Sequence, residues 1–185
     1  GINITIPHKT EIMQYVDVMN PRAKLIGAIN HLMENNGKII GNNTDWYGFV
    51  LALKKNNIDV NQKEVILLGA GGAARSIVVG FQKEGADEIV IANRTKENGE
   101  KLAEFSKKIG LDARSVYMEE MNVLDPNFDF IVNASSLGLN GEKNIVPDSL
   151  MDEQTTVYDI VYKPIKTDLI NTAKEKKSRI RKHFK

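Results

Sequence analysis

Val65-Ile66-Leu67-Leu68-Gly69-Ala70-Gly71-Gly72-Ala73-Ala74-Arg75-Ser76 is an apolar run that breaks into glycines and resumes with helix-forming residues, and it predicts a strand, a tight turn and a helix. Continuous apolar character over residues 65–68 suits a parallel strand buried on both faces. The glycines admit backbone conformations and close approaches that a Cβ would block. A helix starting near Gly72 aims its free N–H groups and the positive end of its dipole at whatever lies over the turn, usually a phosphate. The spacing Gly69-x-Gly71-x-x-Ala74 is a variant of the dinucleotide fingerprint, with a small residue in third place where helix and strand pack closely.

The next β-rich run, residues 88–92, leads into Asn93-Arg94-Thr95, about 25 residues after Gly69. There an NAD-binding unit places an Asp or Glu on the ribose 2′-hydroxyl, and no acid stands at that point. An arginine between Asn and Thr offers instead a planar cation and short hydrogen-bond donors, the chemistry that holds a 2′-phosphate. The expected cofactor is therefore NADP rather than NAD.

The rest of the chain fits this start. Its 185 residues are 42% hydrophobic and 26% charged, with a formal net charge of +1, an ordinary globular composition for one full domain and part of another. Near-neutral charge gives no general attraction to nucleic acid or anionic membrane. The last ten residues carry six Lys or Arg and read as a solvated tail. The absence of cysteine excludes a disulfide framework, thiolate catalysis and a zinc–thiolate site, and is compatible with the cytoplasm. No apolar run approaches the roughly 18 residues that a spanning helix needs, and no signal-peptide pattern is present.

Before the glycine turn, Ile2, Ile4 and Ile6 alternate with Asn3 and Thr5, predicting a half-buried strand closed by Pro7. Ile12, Tyr15, Val16 and Met19 recur at helical spacing and predict a helix over residues 11–19, with Lys9 at the strand-to-helix corner. Asn36-Gly37 between two β-type runs signals a hairpin. Thr44 is placed to cap a helix over residues 45–55, with Asp45 in its first turn. After the turn the pattern alternates: strand 64–68, helix 72–84, strand 88–92, helix 96–109, strands 113–117, 128–133 and 155–160, then helix 167–177. Strands separated by helices imply parallel order with right-handed crossovers. In such a sheet ligands bind outside the carboxyl ends of the strands, which puts residues 133–138 and 158–164 beside the cofactor cleft.

Seven motifs in order, Gly1-Ile2-Asn3-Ile4-Thr5-Ile6-Pro7-His8-Lys9, Gly27-Ala28-Ile29-Asn30, Gly41-Asn42-Asn43-Thr44-Asp45, Gly69-Ala70-Gly71-Gly72-Ala73, Asn93-Arg94-Thr95, Asn133-Ala134-Ser135-Ser136-Leu137-Gly138 and Tyr158-Asp159-Ile160-Val161-Tyr162-Lys163-Pro164, together resemble the shikimate dehydrogenase family from residue 1 to about 170. The resemblance implies an α/β protein, with a Rossmann-type doubly wound parallel sheet as NADP-binding domain over residues 46–185 and a partial α/β substrate domain over residues 1–45. It implies interconversion of 3-dehydroshikimate and shikimate by hydride transfer, on the route to aromatic amino acids. Lys9 matches the family's catalytic lysine and Asp45 its partner, while Thr5, Asn30 and Tyr162 match substrate contacts. Gly69, Ala70, Gly71, Gly72 and Ala73 match the pyrophosphate loop, Asn93, Arg94 and Thr95 the 2′-phosphate pocket, and Ile160 the backbone beside the nicotinamide. Each of Lys9 and Asp45 alone also reads as an exposed helix-start lysine and a capping acid. Oxidising a secondary alcohol requires a base near the hydroxyl, and the reverse reaction uses the same group as an acid.

The chain departs from the family pattern at both ends. A Ser-x-Ser element before Gly1, and a Gly-rich turn and glutamine-bearing helix after Lys177, do not occur in it. His31 stands in place of a small hydroxyl residue and Asn98 in place of a second basic one. An open sheet edge is expected, covered by a second copy or another chain. NADP(H) binding with poor turnover of shikimate is the corresponding expectation. Alternatives are a quinate/shikimate dehydrogenase using NAD or NADP, and a non-catalytic NADP-binding module.

Overall fold

A computed structural model describes residues 1–5 and 7–182. Ile6 of the expected first strand and residues 183–185 of the expected tail lie outside the described residues. The chain builds two sheets. The first is small and mixed. β1 (Ile2–Asn3) pairs antiparallel with β3 (His31–Asn35), β3 pairs antiparallel with β4 (Lys38–Asn42), and β2 (Val18–Met19) pairs parallel with β4. The β3–β4 hairpin turns at Asn36 and Gly37, with φ of 51° and 75°, the left-handed pair that the Asn-Gly sequence accommodates.

The early segment is less regular than its periodicity predicts. The expected strand shortens to β1, whose Ile2 is 63% exposed. The expected helix 11–19 resolves into a 3-10 turn (Glu11–Tyr15) followed by β2, and the first α-helix, α1 (Pro21–Ile26), begins later. The apolar residues at helical spacing here find no sheet face to lie on, since none of Glu11–Tyr15 is buried. Pro21 instead takes the first position of α1, where a missing N–H costs nothing, and Asn20 accepts a bond from Arg22 N. Gly27 ends the helix at φ 70°.

The second sheet has six parallel strands in the order β10-β9-β8-β5-β6-β7, formed by β5 (Glu64–Leu68), β6 (Glu88–Asn93), β7 (Asp112–Tyr117), β8 (Phe130–Asn133), β9 (Thr156–Asp159) and β10 (Arg179–Lys182). β10 corrects the expectation of a solvated basic tail: residues 179–182 pair in register with 156–159. Arginines and lysines mask a strand when composition alone is read, whereas backbone pairing at a sheet edge is indifferent to them.

Alternation along the strands divides the core. Val65, Leu67, Ile89 and Ile91 face helices α2 (Asp45–Lys55), α3 (Gly72–Glu84) and α4 (Lys96–Lys108), while Ile66, Leu68, Val90 and Ile131 face α5 (Asp168–Glu175). α2 carries the chain from the small sheet onto the large one. Its Phe49 is 2% exposed and sits edge-on to Phe81 of α3 and Tyr158 of β9, with ring centroids at 4.9 and 5.3 Å. Such contacts make α2 a rigid mount for the residue at its first position, Asp45.

Candidate active site

In the sheet order, successive strands run from β5 outward to β7 on one side and from β8 outward to β10 on the other. The reversal falls between β5 and β8, where an open parallel sheet forms its binding crevice. At the carboxyl end of β5, Gly69 adopts φ +99°, and a Cβ on it would stand 3.0 to 3.2 Å from atoms of Ser135 at the end of β8. Only glycine lets the two strand ends close up in this way. α3 then starts with Gly71 at its N-cap and no side chain capping its first N–H groups. Those donors and the helix dipole suit a pyrophosphate, and the loop over residues 69–73 fits that group.

Beside this turn, a cleft of about 730 Å³ is lined by residues from both sheets. Lys9, Asp45, Thr5, Asn30, Tyr162, Ala73 and Ile160 all border it. Lys9 Nζ donates to Asp45 Oδ2 at 2.6 Å, and the two side chains are 14% and 29% exposed. Asn30 Nδ2 donates to Asp45 Oδ1 at 2.7 Å and to Thr44 Oγ1 at 3.0 Å. Backbone bonds bring these groups together: Ile29 N donates to Lys9 O at 2.7 Å, and Asn30 N to Asn42 O at 3.0 Å. The glycine turn is adjacent, because a Cβ on Gly72 would lie 3.2 Å from Ala28 Cβ and 3.5 Å from Lys9 Cβ.

Two local readings change. Thr44 occupies the N-cap of α2, but its hydroxyl bonds Asn30 and not the helix, and Asp45 N is satisfied by Asn43 Oδ1 at 3.1 Å. Lys9 and Asp45 are likewise not the separate exposed lysine and capping acid that each suggests in isolation, since they form a partly buried pair.

The opposite wall is held by a buried polar pair at the ends of β8 and β9. Asn133 and Asp159 are both 0% exposed, and Asn133 Nδ2 donates to Asp159 Oδ1 at 3.1 Å and to Leu137 O at 2.9 Å. Asn133 Oδ1 accepts from Ser135 Oγ at 2.7 Å, while Asp159 accepts from Val161 N at 2.9 Å and Thr167 Oγ1 at 2.5 Å. The pair therefore folds Ser135, Ser136, Ile160, Val161 and Tyr162 to the cleft. Sequence reasoning places these two segments there and misses the Asn133–Asp159 link, whose one signal is an acid ending a strand of otherwise apolar character.

Asn93, Arg94 and Thr95 stand apart from the cleft lining but on the same end of the sheet: Gly69 N donates to Ala92 O at 2.9 Å, and Asn93 Nδ2 to Thr95 O at 2.7 Å. Arg94 is exposed, with no ion pair among the described residues, and so presents its guanidinium to solvent beside the turn. That position fits a phosphate on the adenosine ribose. No cluster of three metal-ligating side chains occurs among the described residues, nor any helix long and apolar enough to cross a membrane.

The family model for Shikimate / quinate 5-dehydrogenase matches residues 50–160, more than half of the chain, and the model for the shikimate dehydrogenase substrate binding domain matches residues 1–32. The chain belongs to the shikimate/quinate 5-dehydrogenase family. A shikimate dehydrogenase (NADP(+)) of Nitrosopumilus maritimus is 48% identical over 180 residues, covering 97% of this chain and 66% of that protein. The shikimate 5-dehydrogenase of Thermus thermophilus, solved with NADP(H) and shikimate, superposes with a TM-score of 0.82 at 32% identity, covering 97% of this chain and 65% of that one. The Listeria monocytogenes enzyme, solved with shikimate and NAD, gives a TM-score of 0.86 at 31% identity, over 98% and 66%. The chain thus spans slightly under two thirds of the length of these family members.

Proposed function

We propose that this chain binds NADP(H) and, through Lys9 and Asp45, interconverts 3-dehydroshikimate and shikimate in the route to aromatic amino acids. One observation carries the reading: the 2.6 Å Lys9–Asp45 pair borders a cleft whose other wall is the Ala73 and Ile160 side of the nucleotide crevice. Residues 1–45 serve as the substrate side and residues 46–185 as the nucleotide side. The setting is cytoplasmic, and a second copy of the chain is the expected covering for exposed sheet edges.

The residues divide the work by position. The first N–H groups of α3 and the loop over residues 69–73 hold the pyrophosphate, Arg94 with Asn93 and Thr95 holds the 2′-phosphate, and Ile160 flanks the nicotinamide. A bound nicotinamide would supply the hydride acceptor for oxidation of the alcohol carbon and the hydride donor for the reverse reduction. Lys9 Nζ takes the hydroxyl proton as that carbon becomes a ketone, and gives a proton to the same oxygen in the reverse direction. Asp45 fixes the amine through Oδ2 while Asn30 holds Oδ1, so the donor's direction is set before substrate arrives. Thr5, Asn30 and Tyr162 supply polar contacts for a polyhydroxylated ring acid.

The test is turnover of shikimate and of quinate, each with NADP and NAD, beside a titration of the two cofactors. Preference for shikimate and NADP supports the proposal. Binding of NADP without turnover of either acid would leave the non-catalytic nucleotide-binding module.

A further inference from the structure

Asn43 lies outside the cleft lining and is 2% exposed, a polar side chain locked between three elements. Its Nδ2 donates to Ala28 O at 3.0 Å and to Ser76 Oγ at 3.1 Å, and its Oδ1 accepts from Asp45 N at 3.1 Å. Ser76, in α3, is 0% exposed and passes its own proton to Gly72 O at 3.0 Å, so its oxygen is free to accept from Asn43. Ala28 O can only accept and Asp45 N can only donate, which fixes the amide's orientation, while the Ser76 hydroxyl lies within reach of both the amide nitrogen and, at 3.3 Å, the amide oxygen.

The consequence reaches the cleft from both sides. Asp45 and Asn30, the two groups that bond each other and direct Lys9, flank the two segments Asn43 grips: Asp45 is two residues after it, and Asn30 two residues after Ala28. A second tie runs in parallel. Arg75, the neighbour of Ser76, donates Nε to Ile26 O, with its guanidinium 4.2 Å over the Phe105 ring. α3 therefore reaches residues 26–28 directly through Arg75 and by way of Asn43 through Ser76, and the Asn43 route also ends on the backbone N–H of Asp45 that opens α2.

We infer that Asn43 is a positioning residue for the Lys9–Asp45 pair, transmitting the placement of α3 to the proton-handling groups through the buried Asn43–Ser76 contact. This rests on the reading of Lys9 and Asp45 as those groups. Its test, however, needs neither turnover nor cofactor.

Trace acetylation of the full chain, read lysine by lysine by mass spectrometry, measures how well Asp45 shields the Lys9 amine. Asp45→Asn sets the scale for a released Lys9, with the exposed Lys54 and Lys177 as references. In Asn43→Ala the Lys9 rate is expected to rise about fivefold, the scale of one lost hydrogen bond, with the references unchanged. In Ser76→Ala the rise is about twofold. An unchanged Lys9 rate in folded Asn43→Ala overturns the inference, and so does a common rise at all lysines, which would make Asn43 a general prop of the fold. Should Asn43→Ala fail to fold, Ser76→Ala decides: no selective change at Lys9 overturns it. Where the chain turns over, Asn43→Ala is expected to lower kcat with KM for NADP within about twofold. Absence of shikimate oxidation by the unaltered chain would remove the proposed function and leave the labelling result to stand on its own.

Discussion

Lys9 Nζ and Asp45 Oδ2 stand 2.6 Å apart across 36 residues of sequence, one from the corner after the first strand and the other from the first turn of α2. Neither element places the pair alone. The Ile29 N to Lys9 O bond and the Asn30 bridge to Asp45 bring the two together.

Lys9→Ala is expected to lower turnover by at least about 10²-fold while leaving the dissociation constant for NADP nearly unchanged, because the lysine handles the proton and not the nucleotide. Steady-state rates with a fluorescence titration of NADPH check both parts. Unchanged turnover would remove Lys9 from the chemistry.

Arg94→Ala is expected to weaken NADP by roughly tenfold or more and NAD hardly at all, since the exposed guanidinium has only the extra phosphate to recognise. Parallel titrations of the two cofactors check it. Equal losses would show that the phosphate is read elsewhere.

Phe49→Ala is expected to destabilise the chain by about 3–5 kcal/mol, the usual range for emptying a large aromatic from a close-packed core. Phe49 is 2% exposed and touches both Phe81 and Tyr158. Urea unfolding should show a lower midpoint with the same slope. A loss below about 1 kcal/mol would mean that α2 is not anchored by this ring.

How far the sequence discloses these features depends on how local each one is. The glycine turn, the Asn36-Gly37 hairpin and helix α2 are legible because their signals lie within a few adjacent residues. The parallel run of β5, β6 and β7 follows from their alternation with helices. Residues 11–19 mislead, since the helical spacing of Ile12, Tyr15, Val16 and Met19 does not disclose that no core lies beneath Glu11–Tyr15. β10 is hidden by its charge, and the Asn43–Ser76 and Asn133–Asp159 contacts join residues 33 and 26 apart, so nothing in either neighbourhood announces them.

Acid should loosen the loop at the cleft mouth. Glu142 is exposed, and its carboxyl is held below the ordinary range by the Asn140 backbone amide first, then by its own amide and the Asn140 side chain, with Gly138 N adding a further bond. A carboxyl depressed in the folded chain stabilises the loop above the unfolded value of about 4.3, and that stabilisation is lost as the pH falls through the folded value. Amide exchange at Gly138 and Asn140 should therefore quicken, relative to its intrinsic rate, below about pH 4 and be insensitive to pH in Glu142→Gln. The same acid response in that variant would assign the change to another group.

The most direct measurement is the absorbance of reduced nicotinamide formed from NADP and shikimate by the full chain, compared with Lys9→Ala at matched cofactor occupancy. The expected result is reduction of NADP that disappears with the lysine while the cofactor stays bound. Equal rates in the two proteins, or a chain to which NADP does not bind at all, would contradict the assignment of the cleft between β5 and β8 as a dehydrogenase site.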